Sequence, residues 1–217
     1  MEKTIKLILP KIFFAVAFLL CAYTLYFAIN PSVFLRATKY MGMGISAAVF
    51  AFCGLFLENM SASDIQKEKN TRSLMSLFFA YYIIILVCLT FFNGYSDRLS
   101  HFSLESHFLK RKLLPFSTFK EIITRKSSFN FIMSNLLGNV FSFMPLSWFM
   151  AFFFEKMRKP AFFIPFLFIT VFLLETTQGF FCLGEFDTDD IILNFTGAAF
   201  AYLLIIKTPA CKLLPKK

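Results

Sequence analysis

Charge is scarce in this chain. Only 16% of its 217 residues are Asp, Glu, Lys or Arg, and it holds two histidines and one tryptophan. Its five cysteines (Cys21, Cys53, Cys88, Cys182 and Cys211) are odd in number and form no CxxC pair. Neither a disulfide framework nor a zinc site is therefore expected. No HExxH occurs and no histidine falls inside an apolar run, which removes the familiar metal- and histidine-dependent membrane hydrolases. Disorder, collagen-like repeats and charged coiled coils each need more polar residues or a shorter period than this chain offers.

Apolar surface is what the chain has in excess. Hydrophobic residues make up 58%, with phenylalanine alone at 34 positions, against roughly 45–50% apolar in soluble domains. A water-soluble fold of this size has no interior large enough to hide so much. A helix needs about 20 apolar residues to cross a bilayer core. Six runs meet or approach that length: 12–29, 40–57, 74–92, 129–154, 160–183 and 191–206. The fourth is long enough to tilt, or to kink at Pro145. The first is longer than a secretory h-region and no A-x-A-like site follows it, so it reads as an uncleaved span. The expected fold is an all-α polytopic transmembrane helix bundle of about six spans.

Organisation follows from the gaps. Residues 1–72 hold two N-terminal helices, 73–207 a four-helix region with a long basic loop at 93–128, and 208–217 a basic tail. Lys plus Arg is 22 against 13 for Asp plus Glu, a net +9. In a membrane protein that excess belongs to loops beside anionic lipid. No basic helix or aromatic-basic motif appears, so nucleic acid is not an expected partner. The connection after the fifth run carries no Lys or Arg, whereas the N-terminal segment and the tail are rich in lysine. That asymmetry predicts cytoplasmic N- and C-termini.

The informative residues are polar ones inside the last three runs. Asn135 and Asn139 are four apart, Glu175 and Gln178 three apart, and Asp190, Asn194 and Gly197 four and then three apart. Each set shares one helix face. With six alternating spans, all of them fall in the outer half of the bundle. An ionised carboxylate at the centre of a span costs about 2.5–3.5 kcal/mol, less towards the interface, so Glu175 should face helices or water, with Asn139, Gln178 and Asn194 as natural partners. Two readings stand: hydrogen-bonding glue between helices, or an outward-facing polar pocket. Gly197 and Ala201 form a small-xxx-small pair that permits close approach.

Two loops share the outer side. The acidic stretch Gly184-Glu185-Phe186-Asp187-Thr188-Asp189-Asp190 faces a basic one containing Lys110-Arg111-Lys112 ahead of Leu113-Leu114-Pro115-Phe116. Their charges should attract, folding the basic loop over the acidic mouth. The DxDD cluster lacks the spacing and glycine of an EF-hand, so no metal and no cofactor are expected. His101 and His107 share no helical face and read as loop residues.

These residues carry a resemblance. Asn135-Leu-Leu-Gly-Asn139-Val-Phe-Ser-Phe143-Met-Pro145-Leu resembles the N-x-x-x-N-x-x-x-F-x-P-L span of VanZ-like membrane proteins. Glu175-Thr-Thr-Gln178 is similar to their E-x-x-Q, and Phe186-Asp187-Thr-Asp189-Asp190-Ile-Ile-Leu-Asn194-Phe-Thr-Gly197 to their F-D-x-D-D-x-x-x-N-x-x-G. Leu113-Leu-Pro115-Phe116 fits the segment preceding the first of these. Lys112, Glu185, Ser147 and Ala201 depart from common family residues. The resemblance implies a multi-pass protein of the bacterial cytoplasmic membrane, with some members linked to teicoplanin-type glycopeptide resistance. Residues 73–207 would be its four-helix domain.

The resulting expectation is a protein that binds or acts on a membrane lipid, a lipid-linked envelope precursor or a lipophilic glycopeptide antibiotic. Its ligand-binding candidates are Asn135, Asn139, Glu175, Gln178, Asp187, Asp190 and Asn194. The alternative is a membrane enzyme using Glu175 and Asp190 as acid and base. A transporter would ordinarily show two related halves, and no internal repeat is visible.

Overall fold

Backbone surrounded by lipid tails must satisfy its own hydrogen bonds, and a helix does so within one segment. The computed structural model follows that rule. It describes residues 2–29, 37–92, 114–117, 120, 124, 129–181, 186–209, 211 and 214–215, with no strand among them. Among the described residues five helical segments are long and apolar enough to cross a membrane, and a sixth apolar segment, Ser46–Asn59, is shorter. Large side chains such as Phe162, Phe168, Phe172, Phe200 and Leu203 point outward and are exposed. In water such a surface would drive aggregation; in a bilayer it faces its own kind. The chain is an all-α, polytopic membrane protein folded as two compact units, Met1–Asn93 and Gly94–Lys217.

The first unit contains α1 (Glu2–Ile29), α2 (Ala37–Asn59) and α3 (Asp64–Val87), the last continued by a π-helical turn, Cys88–Phe92. The polar run Asn59-Met-Ser-Ala-Ser63 ends α2, and Ser63 caps α3 by accepting the Gln66 N–H at 3.4 Å. Ser63-x-x-Gln66 has the spacing of a capping box. Small residues bring α1 and α2 together. A Cβ on Gly54 would lie 3.2 Å from the Phe14 ring and from the Pro10 carbonyl oxygen, and Ala17, Ala51, Leu55 and Leu74 form the common core with Phe14 and Phe78.

The second unit contains α4 (Phe129–Ser142), α5 (Met144–Phe153), a 3-10 turn (Glu155–Arg158), α6 (Pro160–Phe180) and α7 (Thr188–Lys207). The fourth apolar run is thus two helices meeting at Phe143, with Pro145 in the first turn of α5. Proline lacks the N–H that would bond one turn back and is tolerated best at a helix start, so the chain breaks there and restarts. Pro160 opens α6 for the same reason.

α7 packs against α4, α5 and α6, which makes it the axis of this unit. Gly197 is where α4 touches it: a Cβ there would overlap the Val140 carbonyl oxygen. One residue on, the Ala198 carbonyl accepts the buried Ser147 hydroxyl of α5 at 2.8 Å. Towards the end of α7, the fully buried Tyr202 stacks on Phe163 with ring centroids 4.1 Å apart. Its hydroxyl donates to the Arg158 carbonyl at 2.8 Å. Arg158 Nε in turn donates to the Ala151 carbonyl at 2.9 Å. This end of the unit is locked by packing. The polar groups gather at the other.

Candidate functional site

The site begins where α7 starts. Asp187 is its N-cap, with backbone angles outside the helical region and a side-chain oxygen accepting the Asp189 N–H at 2.8 Å. Asp189 and Asp190 occupy the first turn, where carboxylates meet the positive end of the helix dipole. Three neighbouring acids would repel one another if they shared one position. The turn of the helix separates them, and each takes a different donor.

Asp189 is completely buried and accepts the backbone N–H of Phe116. Phe116 has φ 65°, a left-handed conformation that turns its N–H towards the carboxylate. The Leu114–Ser117 turn is thereby clipped onto the start of α7, 73 residues away in sequence. Among the described residues this bond, from a backbone N–H, joins the 93–128 loop to the acidic turn. Lys110, Arg111, Lys112 and both histidines lie outside the described residues.

Asp190 accepts the side-chain amide of Asn139 from α4. One turn further along α7, Asn194 donates through Nδ2 to Glu175 Oε1 of α6 at 3.4 Å. Glu175 and Asn194 are each 5% exposed. The other oxygen of each, Glu175 Oε2 and Asn194 Oδ1, is buried without a hydrogen-bond partner among the described residues. Glu175 lies five residues from the end of α6, about 8 Å along its axis. The cluster therefore sits below one end of the unit rather than at its middle, which lowers the insertion cost of its carboxylates.

Four of the candidates read from sequence (Asn139, Glu175, Asp190 and Asn194) meet here from three helices. Glu175 takes only Asn194 of its expected partners in a resolved hydrogen bond, because Asn139 turns to Asp190. Gln178 lies half-buried almost one turn beyond Glu175, and Asp187 acts as the cap. Asn135 belongs to α4, but its side chain lies outside the described residues. Sequence reasoning missed Asp189 as the anchor of the loop. Its only signal was membership of DxDD, where three acids look alike. Gly179 was also missed: a Cβ on it would come 2.9 Å from Phe186 Cβ, so its bare backbone admits the segment leading into α7.

The VanZ/LLP1 family model matches residues 79–211. The chain belongs to the VanZ/LLP1 family. The match takes in every residue of the cluster and the Leu114–Ser117 clip. No curated protein and no solved structure matches the chain. Within this VanZ/LLP1 region the four resembling segments converge: the LPF turn docks on Asp189 of DxDD, the N-x-x-x-N helix bonds the adjacent Asp190, and the E-x-x-Q glutamate meets the asparagine one turn on. Among the described residues no three His, Cys, Asp or Glu side chains converge as metal ligands.

Proposed function

We propose that this VanZ/LLP1 protein lies in the bacterial cytoplasmic membrane with both termini in the cytoplasm and the Asn139–Glu175–Asp190–Asn194 cluster towards the outer side. There it binds a lipid, a lipid-linked cell-envelope precursor or a lipophilic glycopeptide antibiotic of the teicoplanin type. The reading rests on the two orphaned acceptors, Glu175 Oε2 and Asn194 Oδ1. A buried polar group without a partner costs about 1–3 kcal/mol, and helices held together only for stability have cheaper solutions. Acceptors waiting for donors suit a ligand that presents hydroxyl, amide or ammonium hydrogens.

A second reading draws on the unlike surroundings of the two carboxylates. Asp190 is hydrogen-bonded to an amide, while Glu175 keeps one bare oxygen. Such asymmetry is how paired acids divide the roles of acid and base. The mass of a copurifying lipid separates the readings: unchanged on incubation with the protein for binding, altered for catalysis.

Expressed in a susceptible Gram-positive host, the protein should raise tolerance to teicoplanin several-fold more than to vancomycin. Teicoplanin carries an acyl chain, and each buried CH₂ adds about 0.8 kcal/mol of membrane anchoring. A protein acting on lipid or on the anchored drug affects the acylated compound most. Glu175→Ala and Asp190→Ala should each erase the difference. Equal protection against both drugs would indicate altered peptidoglycan precursors, and none from a well-expressed protein would sink the antibiotic assignment. Orientation has its own check. Cys211 is exposed, and as the sole cysteine it should resist an impermeant maleimide in intact cells and react once they are opened.

A further inference from the structure

Within the first unit, α1 and α3 run side by side in register, with Ala17 near Leu74 in the core and Thr24 bonded to Tyr81. They do not close fully along that length. A cavity of about 740 Å³ lies between them, over a floor formed by Ala17, Ala51, Leu55 and Leu74. Small side chains leave the gap: Ala22 on α1 and Ala80 on α3 face it where larger residues would fill it. At the inner end, Thr24 donates its only hydroxyl hydrogen to the Cys21 carbonyl at 2.8 Å. The Tyr81 hydroxyl must therefore donate to Thr24, which ties the two helices together.

At the opposite end the lining turns polar, with Glu58, Asn70 and Ser73. Asn70 is held by Gln66 at 2.7 Å and by Asn59 at 3.1 Å. Lys67 is paired with Asp64 at 3.0 Å. Glu58, exposed at the mouth, makes no ion pair among the described residues.

We propose that this groove holds one acyl chain of a phospholipid with a primary-ammonium headgroup, the chain lying between α1 and α3 and the ammonium on Glu58. Three observations meet in it. The lining on α3 runs from Asn70 to Ile84, about 21 Å of helix. That is the reach of a chain that starts at headgroup depth and crosses one leaflet of a core about 30 Å thick. An apolar gap of this size neither fills with water nor stays empty while chains surround it, since its walls would forgo dispersion contacts. Moving a chain from bilayer to groove gains little by itself, because lipid tails are as apolar as the lining. Choice among lipids therefore falls to the headgroup, and the unpaired carboxylate at the mouth selects a cation. Most of the lining precedes residue 79, so this site comes chiefly with the helices ahead of the VanZ/LLP1 match, and it is independent of the reading of the α7 cluster.

Fluorescence quenching tests it on the full chain. The single tryptophan, Trp148, is replaced by Phe, and Phe18→Trp places a reporter in the groove wall. The protein is reconstituted in phosphatidylglycerol vesicles containing a minor fraction of acyl-brominated phosphatidylethanolamine or, separately, acyl-brominated phosphatidylglycerol. The ethanolamine lipid should quench at about fivefold lower mole fraction, the selectivity of one interfacial ion pair. Glu58→Gln should bring the two lipids level. Ala80→Phe, which fills the groove, should lower quenching by both. Equal quenching by the two lipids before any change at Glu58 would mean ordinary boundary contact. No quenching by either would mean that protein covers the groove. Either result overturns the proposal, and neither bears on the α7 cluster.

Discussion

Replacing Gly197 by alanine will remove folded protein from the membrane, whereas the same change at Gly138 will stabilise it. Both glycines lie in membrane helices, α7 and α4 respectively, and on propensity alone both substitutions would help by about 0.8–1 kcal/mol. Their surroundings decide the sign. A Cβ at 197 overlaps the Val140 carbonyl oxygen and lies 2.8 Å and 2.9 Å from the carbonyl carbon and Cα of the same residue. These are backbone atoms, so no side chain can swing aside, and α4 and α7 must separate. Separation strains the Asn139–Asp190 and Ser147–Ala198 hydrogen bonds on either side of the contact. Overpacking ordinarily costs 1–3 kcal/mol; with backbone as the obstacle and two flanking bonds at risk, the cost should exceed about 3 kcal/mol. A Cβ at Gly138 meets nothing within 4 Å, so the propensity gain survives, worth a melting-point rise of about 2–4 °C. Thermal melts followed by size-exclusion of detergent extracts check both. A normal yield and melt for Gly197→Ala would mean that the α4–α7 contact is looser than described.

Glu175→Gln should make the protein more stable and inactive at once. The isosteric amide keeps an oxygen for Asn194 Nδ2 and puts an N–H donor in place of the other, so one change removes one unpartnered oxygen and offers a donor to Asn194 Oδ1. Interhelical hydrogen bonds in membranes contribute about 0.6 kcal/mol on average, and relief of an orphaned acceptor about 1–3 kcal/mol. A gain of about 1 kcal/mol is the expected balance, read as a higher melting temperature. Function should vanish, because the new amide pair closes the acceptors to any ligand and removes the carboxylate. Glu175→Ala should also abolish function, but without the gain, since Asn194 then loses its bond to Glu175. If Glu175→Gln keeps full teicoplanin tolerance, the cluster serves assembly alone.

The elements most legible in the sequence were those where polarity breaks an apolar run. Asn139, Glu175, Asp190 and Asn194 stand out because each is costly among lipid tails, and their helical spacing puts each on a predictable face. Which face meets which was not legible. Asn139 was expected beside Glu175 and bonds Asp190, since the pairing depends on the relative rotation of three helices, which backbone contact at Gly197 helps to set. Pro145 signalled a weak point in the fourth run, yet its sequence does not say whether the helix kinks or, as at Phe143, stops and restarts. Asp189 was hidden for a different reason. Its role depends on a backbone N–H, and backbone donors leave no mark in a sequence. The groove of the first unit was equally invisible, because Ala22 and Ala80 read as ordinary small residues until their neighbours are known.

The clip between Phe116 and Asp189 also counts membrane crossings. Phe116 precedes α4 and Asp189 opens α7, so their bond brings the starts of α4 and α7 towards one face of the bilayer, and between them the chain passes through α4, α5 and α6. It can return to its starting face only after an even number of traverses. α6 makes one, so α4 and α5 together must make the other, as a single broken rod. Their 14 and 10 residues give about 36 Å of helix, enough for one core thickness and too little for two. A re-entrant hairpin at Phe143 would strand the loop and the DxDD turn on opposite faces. The bond outside the broken helix thus agrees with a single full passage by α4 and α5, and that parity is the same whichever face is outermost.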